Sequence, residues 1–338
     1  MGSITGNDDN DQQFVGGSGE IISTNKECTS YNNVDTITEG IKSVSMRDVS
    51  TCASCGKEGN SHDMNTCNKC KMVKYCNAAC KKKHRSKHKK ACERRVAELH
   101  DEQLFKDPPP REECPICLLT MPHKTNTSVF MPCCGKRICN GCIYAMKMSE
   151  AKDLCAFCRT PPVTSDEEHI RRVKKLMEKR NAGAFNHLAG CYSQGIVGLP
   201  QDYQKANELC LKAGELGCAV AYYNLGNSYR DGEAGVERDD KKAQHYWELA
   251  AMGGSVSARY NLGVVEGQAG NHHRAYKHYV LAARAGHDYS LDIVKDCFMS
   301  GFISKDEYAR TLRAYHERQK EMKSDARDMA ASSSGIFI

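Results

Sequence analysis

The sequence predicts a multidomain chain in which two small cysteine-rich fingers precede an all-α solenoid of helix-pair repeats. The 338 residues are too many for one typical domain. Most of the 20 cysteines fall in two separate clusters, and short motifs recur at a fixed spacing in the C-terminal half. There is no apolar run of about 18 residues and no secretory signal pattern, so we expect a cytoplasmic or nuclear protein without a membrane segment.

Changes in composition divide the chain into eight segments. The first is rich in Gly, Ser, Thr, Asn and Asp without a helical or strand period, which predicts disorder. A helix is predicted from Cys92 to about Phe105, with Val96 and Leu99 on one face, and the prolines at 108–110 end it as a stiff spacer. The segments are a disordered leader (1–47), the first finger (48–95), a helix and proline linker (96–110), the second finger (111–162), a helical linker (163–181), the repeats (182–287), a helical cap (288–323) and a flexible tail (324–338).

The first cysteine cluster contains four closely spaced ligand pairs, C-x2-C, C-x2-C, C-x3-C and H-x3-C. In a reducing compartment such clusters bind metal more often than they form disulfides. The C-x2-C spacing allows two thiolates from one tight turn to reach the same zinc ion, and eight ligands predict two tetrahedral sites. The ligands are Cys52, Cys55, Cys67, Cys70, Cys76, Cys80, His88 and Cys92.

This cluster resembles a MYND finger, including its closing His88-x3-Cys92. In that family the ligand pairs interleave. The resemblance therefore implies one ion held by Cys52, Cys55, Cys76 and Cys80, and another held by Cys67, Cys70, His88 and Cys92. His84, one helical turn before His88, is interpreted as a solvated histidine because Cys92 has the H-x3-C spacing only to His88. Arg85 stands where the family usually has a tryptophan.

The second cysteine cluster resembles a RING finger over about residues 111–162. Lys136 lies in the run where the family has its central histidine, so this would be an all-cysteine variant. Adjacent Cys133 and Cys134 must then both bind one ion, and His123 is the nearest substitute if only one of them does. The resemblance implies two further zinc sites, one from Cys114, Cys117, Cys139 and Cys142 and the other from Cys133, Cys134, Cys155 and Cys158.

The RING resemblance implies a function in ubiquitin transfer. Four-coordinate thiolate sites have no open position, so the zinc ions are structural and no catalytic residue or other cofactor is assigned. A RING finger binds a ubiquitin-conjugating enzyme and favours its reactive conformation. The residues that the resemblance assigns to docking are Ile116, Pro161 and Arg159, whose donors could bridge enzyme and ubiquitin. Ala156 replaces a proline that is frequent in the family.

A repeat occupies the C-terminal half. Motifs ending in Leu188, Leu225 and Leu262 recur every 37 residues, with a small residue directly after each leucine where paired helices approach closely. The pattern resembles the Sel-one-like repeats of the tetratricopeptide superfamily over about residues 182–287. One helix pair cannot bury its apolar face alone, so the units are expected to stack into a solenoid.

The net charge of the chain does not indicate nucleic-acid binding. Binding of four zinc ions by thiolates brings the formal net charge of +6 close to neutral. Residues 71–95 are rich in Lys and Arg, but no aromatic side chains interleave with them as a stacking platform for nucleic acid would require. We therefore interpret the lysines as offsetting the thiolate charge, and we expect neither a nucleic-acid partner nor a membrane.

Two functions are left open by the sequence. In the first, the chain is a RING-type ubiquitin-protein ligase that binds a conjugating enzyme through the RING finger and a protein substrate through the MYND finger and the repeats. In the second, it is a non-catalytic adaptor with structural zinc fingers. The cysteines outside the clusters are given no nucleophilic role, and those in the repeats are interpreted as small buried thiols. They are Cys28, Cys191, Cys210, Cys218 and Cys297.

Overall fold

The computed structural model describes residues 49–123, 126–149, 153–232 and 235–333. The predicted leader, residues 1–47, lies outside this part of the chain. Within it, a cysteine-rich region with small antiparallel sheets is followed by stacked helices, which confirms the predicted fold class. None of the described helices is long and apolar enough to cross a membrane.

Three short β-hairpins lie in the cysteine-rich region. Two belong to the first finger and one to the second, and each is too small to bury a core without support from the cysteines. Tyr75 and Ile138 are the large buried side chains that pack among those cysteines. The hairpins are β1 (Val49–Thr51) with β2 (Glu58–Asn60), β3 (Asn65–Thr66) with β4 (Lys74–Tyr75), and β5 (Ser128–Phe130) with β6 (Arg137–Cys139).

The first finger ends in α1 (Ala78–Leu104), a single helix of 27 residues. The Asn77 side chain caps its start by accepting a hydrogen bond from the Cys80 backbone N–H at 2.8 Å. Both parts of α1 are predicted to be helical from the sequence, since a helix is expected from Cys92 to about Phe105 and His84 is placed one helical turn before His88. The structure joins the two parts in one helix. Since this stretch contains neither proline nor glycine, nothing interrupts the helix, and α1 extends from the zinc ligands to the repeats.

The second finger contains the β5–β6 hairpin and the short helix α2 (Asn140–Lys147). Helix α3 (Asp166–Glu178) then leads to the repeats, and the Ser165 side chain caps it by accepting from the Glu168 N–H at 3.2 Å. Six helices follow in three antiparallel pairs. They are α4 (Ala182–Gln194) with α5 (Tyr203–Glu215), α6 (Ala219–Asp231) with α7 (Asp240–Met252), and α8 (Val256–Gln268) with α9 (His272–Arg284).

The two helices of the middle pair approach closely at Gly226. A Cβ atom added there would lie 2.3 Å from Cδ1 of Trp247, which is fully buried in α7. Gly263 in the next unit has the same relation to Tyr279, at 2.6 Å. A small residue is therefore required at this repeat position wherever an aromatic ring faces it.

Gly226→Ala is expected to lower the free energy of unfolding by about 1–3 kcal/mol, because the added methyl group would overpack against the indole ring. Urea unfolding followed by circular dichroism measures the effect. Gly190→Ala is the matched control, since a Cβ atom there meets nothing within 4 Å and alanine has the better helix propensity. Equal stability of the two variants would contradict the close approach.

Three helices close the C-terminal end. The predicted cap contains α10 (Asp288–Met299) and α11 (Lys305–Met322). The predicted flexible tail differs from the structure, since α12 (Asp325–Ser332) forms there and packs on α2 of the second finger. Ser324 caps α12, and Arg327 Nη1 donates to the Thr120 carbonyl at 2.8 Å. This tertiary contact has no signature in the local sequence.

The end of α1 is part of the repeat core. Leu104 is fully buried against a cluster that contains Trp247. Arg259 Nη1 donates to the Leu104 carbonyl at 2.8 Å, and Arg274 forms an ion pair with Asp101. The first finger and the solenoid are therefore joined by buried contacts between residues more than 150 positions apart in the sequence.

The helix and proline linker packs against the repeats and does not act as a free spacer. Val96, on the predicted apolar face, is 38% exposed, and α1 instead buries His88, Cys92 and Leu104. Pro109 lies beside Gly254, and Arg111 Nη1 donates to the Ala285 carbonyl at 2.9 Å. The linker therefore fixes the second finger to the last repeat.

Candidate metal centres and docking surface

The first finger brings its eight predicted ligands together as two groups of four. In each group the ligand atoms all lie within 4.8 Å of one another, as tetrahedral zinc requires. The pairs interleave as the MYND resemblance implies. In the first group, the Sγ atoms of Cys76 and Cys80 are 3.5 Å apart and those of Cys55 and Cys76 are 3.7 Å apart. In the second group, Cys70 Sγ lies 3.2 Å from His88 Nε2, and Cys67 Sγ lies 3.8 Å from Cys92 Sγ.

His84 is not part of either group. Its Nδ1 lies 3.3 Å from the hydroxyl oxygen of Tyr75, and its ring stacks on that of His88 with centroids 5.9 Å apart. His84 is half-buried, whereas the sequence analysis expects it to be solvated. The reason is that His84 lies on the same face of α1 as the buried His88, where the hydroxyl of the buried Tyr75 reaches it. Arg85 is exposed.

The second finger also brings its eight predicted ligands together as two groups of four. Adjacent Cys133 and Cys134 both point into the same group. His123, the alternative ligand, instead faces His287 of the C-terminal region, with ring centroids 5.5 Å apart. In the first of these groups, the sulfur distances are 3.8 Å from Cys114 to Cys142 and 3.8 Å from Cys117 to Cys139. In the other group, they are 3.4 Å from Cys133 to Cys158 and 4.0 Å from Cys134 to Cys155.

Four of the cysteine pairs form the same tight turn, two in each finger. The residue after the second cysteine has a positive φ, and its N–H donates to the carbonyl of the first cysteine. The second finger thus repeats the backbone geometry that places two thiolates on one ion in the first. The donors and acceptors are Gly56 and Cys52 (2.9 Å), Lys71 and Cys67 (3.0 Å), Leu118 and Cys114 (2.8 Å), and Arg159 and Cys155 (2.9 Å).

The pKa values of the ligand cysteines are shifted by hydrogen bonds, burial and the neighbouring thiols. A hydrogen bond from the Cys76 backbone lowers the pKa of Cys52 to about 6, whereas the Cys80 side chain raises the pKa of Cys76 to about 12. In the second finger, burial and the neighbouring Cys158 raise the pKa of Cys133. Neighbouring thiolates in one group repel one another, because a like charge nearby disfavours a second ionisation. A divalent ion removes that repulsion, so the donor sets fit zinc.

The three residues assigned to docking are exposed on the second finger. The Ile116 side chain is 41% exposed within the first turn, and Arg159 and Pro161 are exposed beside the last ligand. The sequence analysis misses two further apolar side chains, Leu118 at 69% and Phe157 at 44% exposure. Both lie next to a zinc ligand of a C-x2-C pair. That position in the sequence is the signal that could have predicted their exposure, because the turn has no hydrophobic core in which these side chains could be buried.

Family models match two parts of the chain. The MYND finger model matches residues 52–92, and the Sel1 repeat model matches residues 186–218, 219–255 and 256–287. No family model matches the second cysteine cluster, and no curated protein matches the chain.

Solved structures are similar to about half of this chain. They include a Sel1 repeat protein from Oxalobacter formigenes, with 24% identity over 44% of this chain and 64% of that chain and a TM-score of 0.38. The others are the protective antigen c5321 of uropathogenic Escherichia coli, with 19% identity, 52% and 38% coverage and a TM-score of 0.37, and MamA, with 20% identity, 46% and 90% coverage and a TM-score of 0.28. The chain thus spans less than two thirds of the first two proteins.

These matches and the geometry together identify the class of protein. The first finger is a MYND finger, which binds zinc, and the cysteine groups of the second finger could also hold zinc ions. The helices at 186–287 are Sel1 repeats. The chain is therefore a zinc-finger protein whose modules are suited to protein–protein interaction.

Proposed function

We propose that the chain is a RING-type ubiquitin-protein ligase with four structural zinc ions. In this proposal the second finger binds a ubiquitin-conjugating enzyme, and the MYND finger and the repeats bind the protein substrate. The observation that supports it best is the exposure of Ile116, Arg159 and Pro161 on a finger whose eight cysteines converge as two interleaved groups. That arrangement fits the docking surface expected from the RING resemblance.

The chemistry of the fingers favours docking over direct catalysis. Each donor group supplies four protein ligands, which leaves no position for a substrate or an activated water molecule. The finger therefore contributes binding and orientation to a reaction whose thioester is carried by the partner. The loop after the last ligand is held in place, since Arg172 donates to the Pro161 carbonyl through Nη1 at 2.8 Å and pairs with Glu168 through Nη2 at 2.7 Å.

A specific contact favours the alternative, a non-catalytic adaptor. The C-terminal helix α12 lies against the first turn of the second finger, where Arg327 Nη2 is 3.6 Å from Cys117 Sγ and 3.3 Å from the Leu119 carbonyl. One side of the proposed docking turn is thus already occupied by the chain itself. In the adaptor proposal, the finger is a folded scaffold that fixes the end of the solenoid.

Ile116→Ala is expected to reduce autoubiquitination at least several-fold with zinc content unchanged, because an exposed apolar anchor typically contributes more than about 1 kcal/mol to an interface. Arg159→Ala is expected to slow discharge of the ubiquitin thioester with little loss of enzyme binding, because its donors act after docking. Single-turnover discharge and a binding titration with the conjugating enzyme separate the two effects.

Val129→Ala is the matched control, since Val129 is similarly exposed, at 38%, but lies on β5 and outside the C-x2-C turns. It should leave discharge unchanged. Two results would decide for the adaptor: a wild-type protein that discharges no thioester with a broad panel of conjugating enzymes, or an active protein in which Ile116→Ala and Arg159→Ala are both silent.

A further inference from the structure

Three metal-binding side chains converge outside the fingers, where the second finger meets the first repeat. His169 lies on α3, and His187 and Cys191 lie on α4. Their ligand atoms are all within 4.8 Å of one another. The two Nε2 atoms are 2.8 Å apart, and His187 Nε2 is 3.8 Å from Cys191 Sγ.

The α4 pair repeats the closing ligand pair of the MYND finger. There, His88 and Cys92 lie four residues apart on α1, and both point to the same zinc site. His187 and Cys191 have the same H-x3-C spacing on α4, and residues four apart lie on one face of a helix. The chain therefore presents the same bidentate donor arrangement twice, with His169 as the additional donor at the second place.

Burial keeps His187 in the neutral form that binds a metal, whereas it holds Cys191 as a thiol until an ion takes the place of its proton. Burial, followed by the neighbouring His169, lowers the pKa of His187 to about 4, so its imidazole is neutral at physiological pH. Cys191 is buried, and burial raises the pKa of its thiol. A simple hydrogen bond between the histidines would use only one proton between two Nε2 atoms. It would give no role to the sulfur, which the spacing of four residues brings to His187 and which also lies near the His169 ring nitrogen.

We propose that His169, His187 and Cys191 form a metal site that binds a divalent transition-metal ion, foremost zinc, through two nitrogens and one thiolate. The Cys191 thiol loses its proton to solvent on binding. Both histidines are half-buried and reachable by water, so a water molecule completes a tetrahedral sphere. With three protein ligands in place of four, this site is weaker than those of the fingers.

The position of the site gives it a structural consequence. The metal would connect α3 to α4, and the His187 ring also stacks on Phe130 at the end of β5, with centroids 4.8 Å apart. Occupancy would therefore stiffen the junction between the second finger and the solenoid. The proposal does not depend on ligase activity, since it rests only on these three donors and their contacts.

Cobalt titration tests the site in the full-length chain loaded with four equivalents of zinc, which fill the tighter four-ligand sites of the fingers and leave the weaker additional position open. Cobalt does not displace zinc from thiolate sites in the usual order of affinities, so it reports on the additional position alone. One equivalent of Co2+ is expected to bind, with a thiolate-to-cobalt charge-transfer band in the near ultraviolet. Cys191→Ser should abolish that band. His169→Ala should weaken binding by more than the roughly 10–100-fold typical of outer-shell changes.

Cys297→Ser and His273→Ala are the matched controls, and both should bind cobalt as the wild type does. Zinc content and circular dichroism confirm that each variant is folded. If Cys191→Ser does not fold, the cobalt affinity of His169→Ala tests the proposal instead. His169 is half-exposed on α3, so its replacement by alanine is tolerated by the fold. Failure of the wild type to bind the additional equivalent would overturn the proposal. The proposal would also be overturned if the charge-transfer band and the affinity survived both Cys191→Ser and His169→Ala. The cobalt would then be bound elsewhere, and the two histidines would be only a hydrogen-bonded pair.

Discussion

His88→Ala is expected to release one zinc ion per chain and to unfold the first finger, whereas His84→Ala is expected to release none. His88 is buried with its Nε2 3.2 Å from Cys70 Sγ, inside a group of four donors. Structural zinc supplies an apparent binding free energy of about 10–16 kcal/mol to domains that cannot fold without it. Loss of one ligand from a finger with so small a core is therefore a large effect.

Mass spectrometry of metal content measures the outcome directly, with four zinc ions per chain expected for the wild type. His84→Ala removes the contact with the Tyr75 hydroxyl, which is worth about 1 kcal/mol, and the stacking on the His88 ring, but no zinc ligand. Release of zinc by His84→Ala and not by His88→Ala would reassign the ligand. A wild-type content of two ions or fewer would contradict the interleaved sites in both fingers.

Leu104→Ala is expected to lower the free energy of unfolding by about 2–5 kcal/mol, the range for a buried leucine that leaves a cavity. Leu104 is fully buried at the end of α1, packed with Trp247 and the alanines of α7. The substitution removes no zinc ligand, so metal content should not change. Urea unfolding, followed by circular dichroism and by the fluorescence of Trp247, measures the loss.

Val96→Ala is the control for Leu104→Ala, since Val96 lies on the same helix with 38% of its side chain exposed. It should change stability by less than about 0.5 kcal/mol. Similar losses for both variants would show that α1 is anchored along its length. A silent Leu104→Ala would mean that the first finger does not pack on the repeats in solution.

Spacing along the chain is enough to predict the zinc-ligand pairs and the repeats, whereas the interleaving of the pairs into groups of four is implied by the MYND and RING resemblances. Ligand pairs such as Cys52 and Cys55 are set by a local turn, and Leu188, Leu225 and Leu262 recur because one helix pair is copied. Both signals lie within short segments of the sequence, so no knowledge of the tertiary fold is needed to read them.

Contacts between distant segments could not be predicted in this way. Arg259 and Arg327 look like ordinary surface charges in the sequence, yet each donates to backbone carbonyls of the finger region more than 150 residues away. The group of His169, His187 and Cys191 was missed for the same reason, because its donors come from two helices whose packing decides whether they meet.

The second finger contacts both ends of the solenoid, and this limits how the repeat array could have changed. Asn181, at the start of the first unit, lies 3.4 Å from the Gly135 carbonyl, and Arg327, beyond the last unit, holds the Thr120 carbonyl. An open array can gain or lose units by duplication, because each unit contacts only its neighbours. Here an inserted or deleted unit would move one of the two contact points away from the finger. The number of repeats is therefore tied to the size of a domain outside the array.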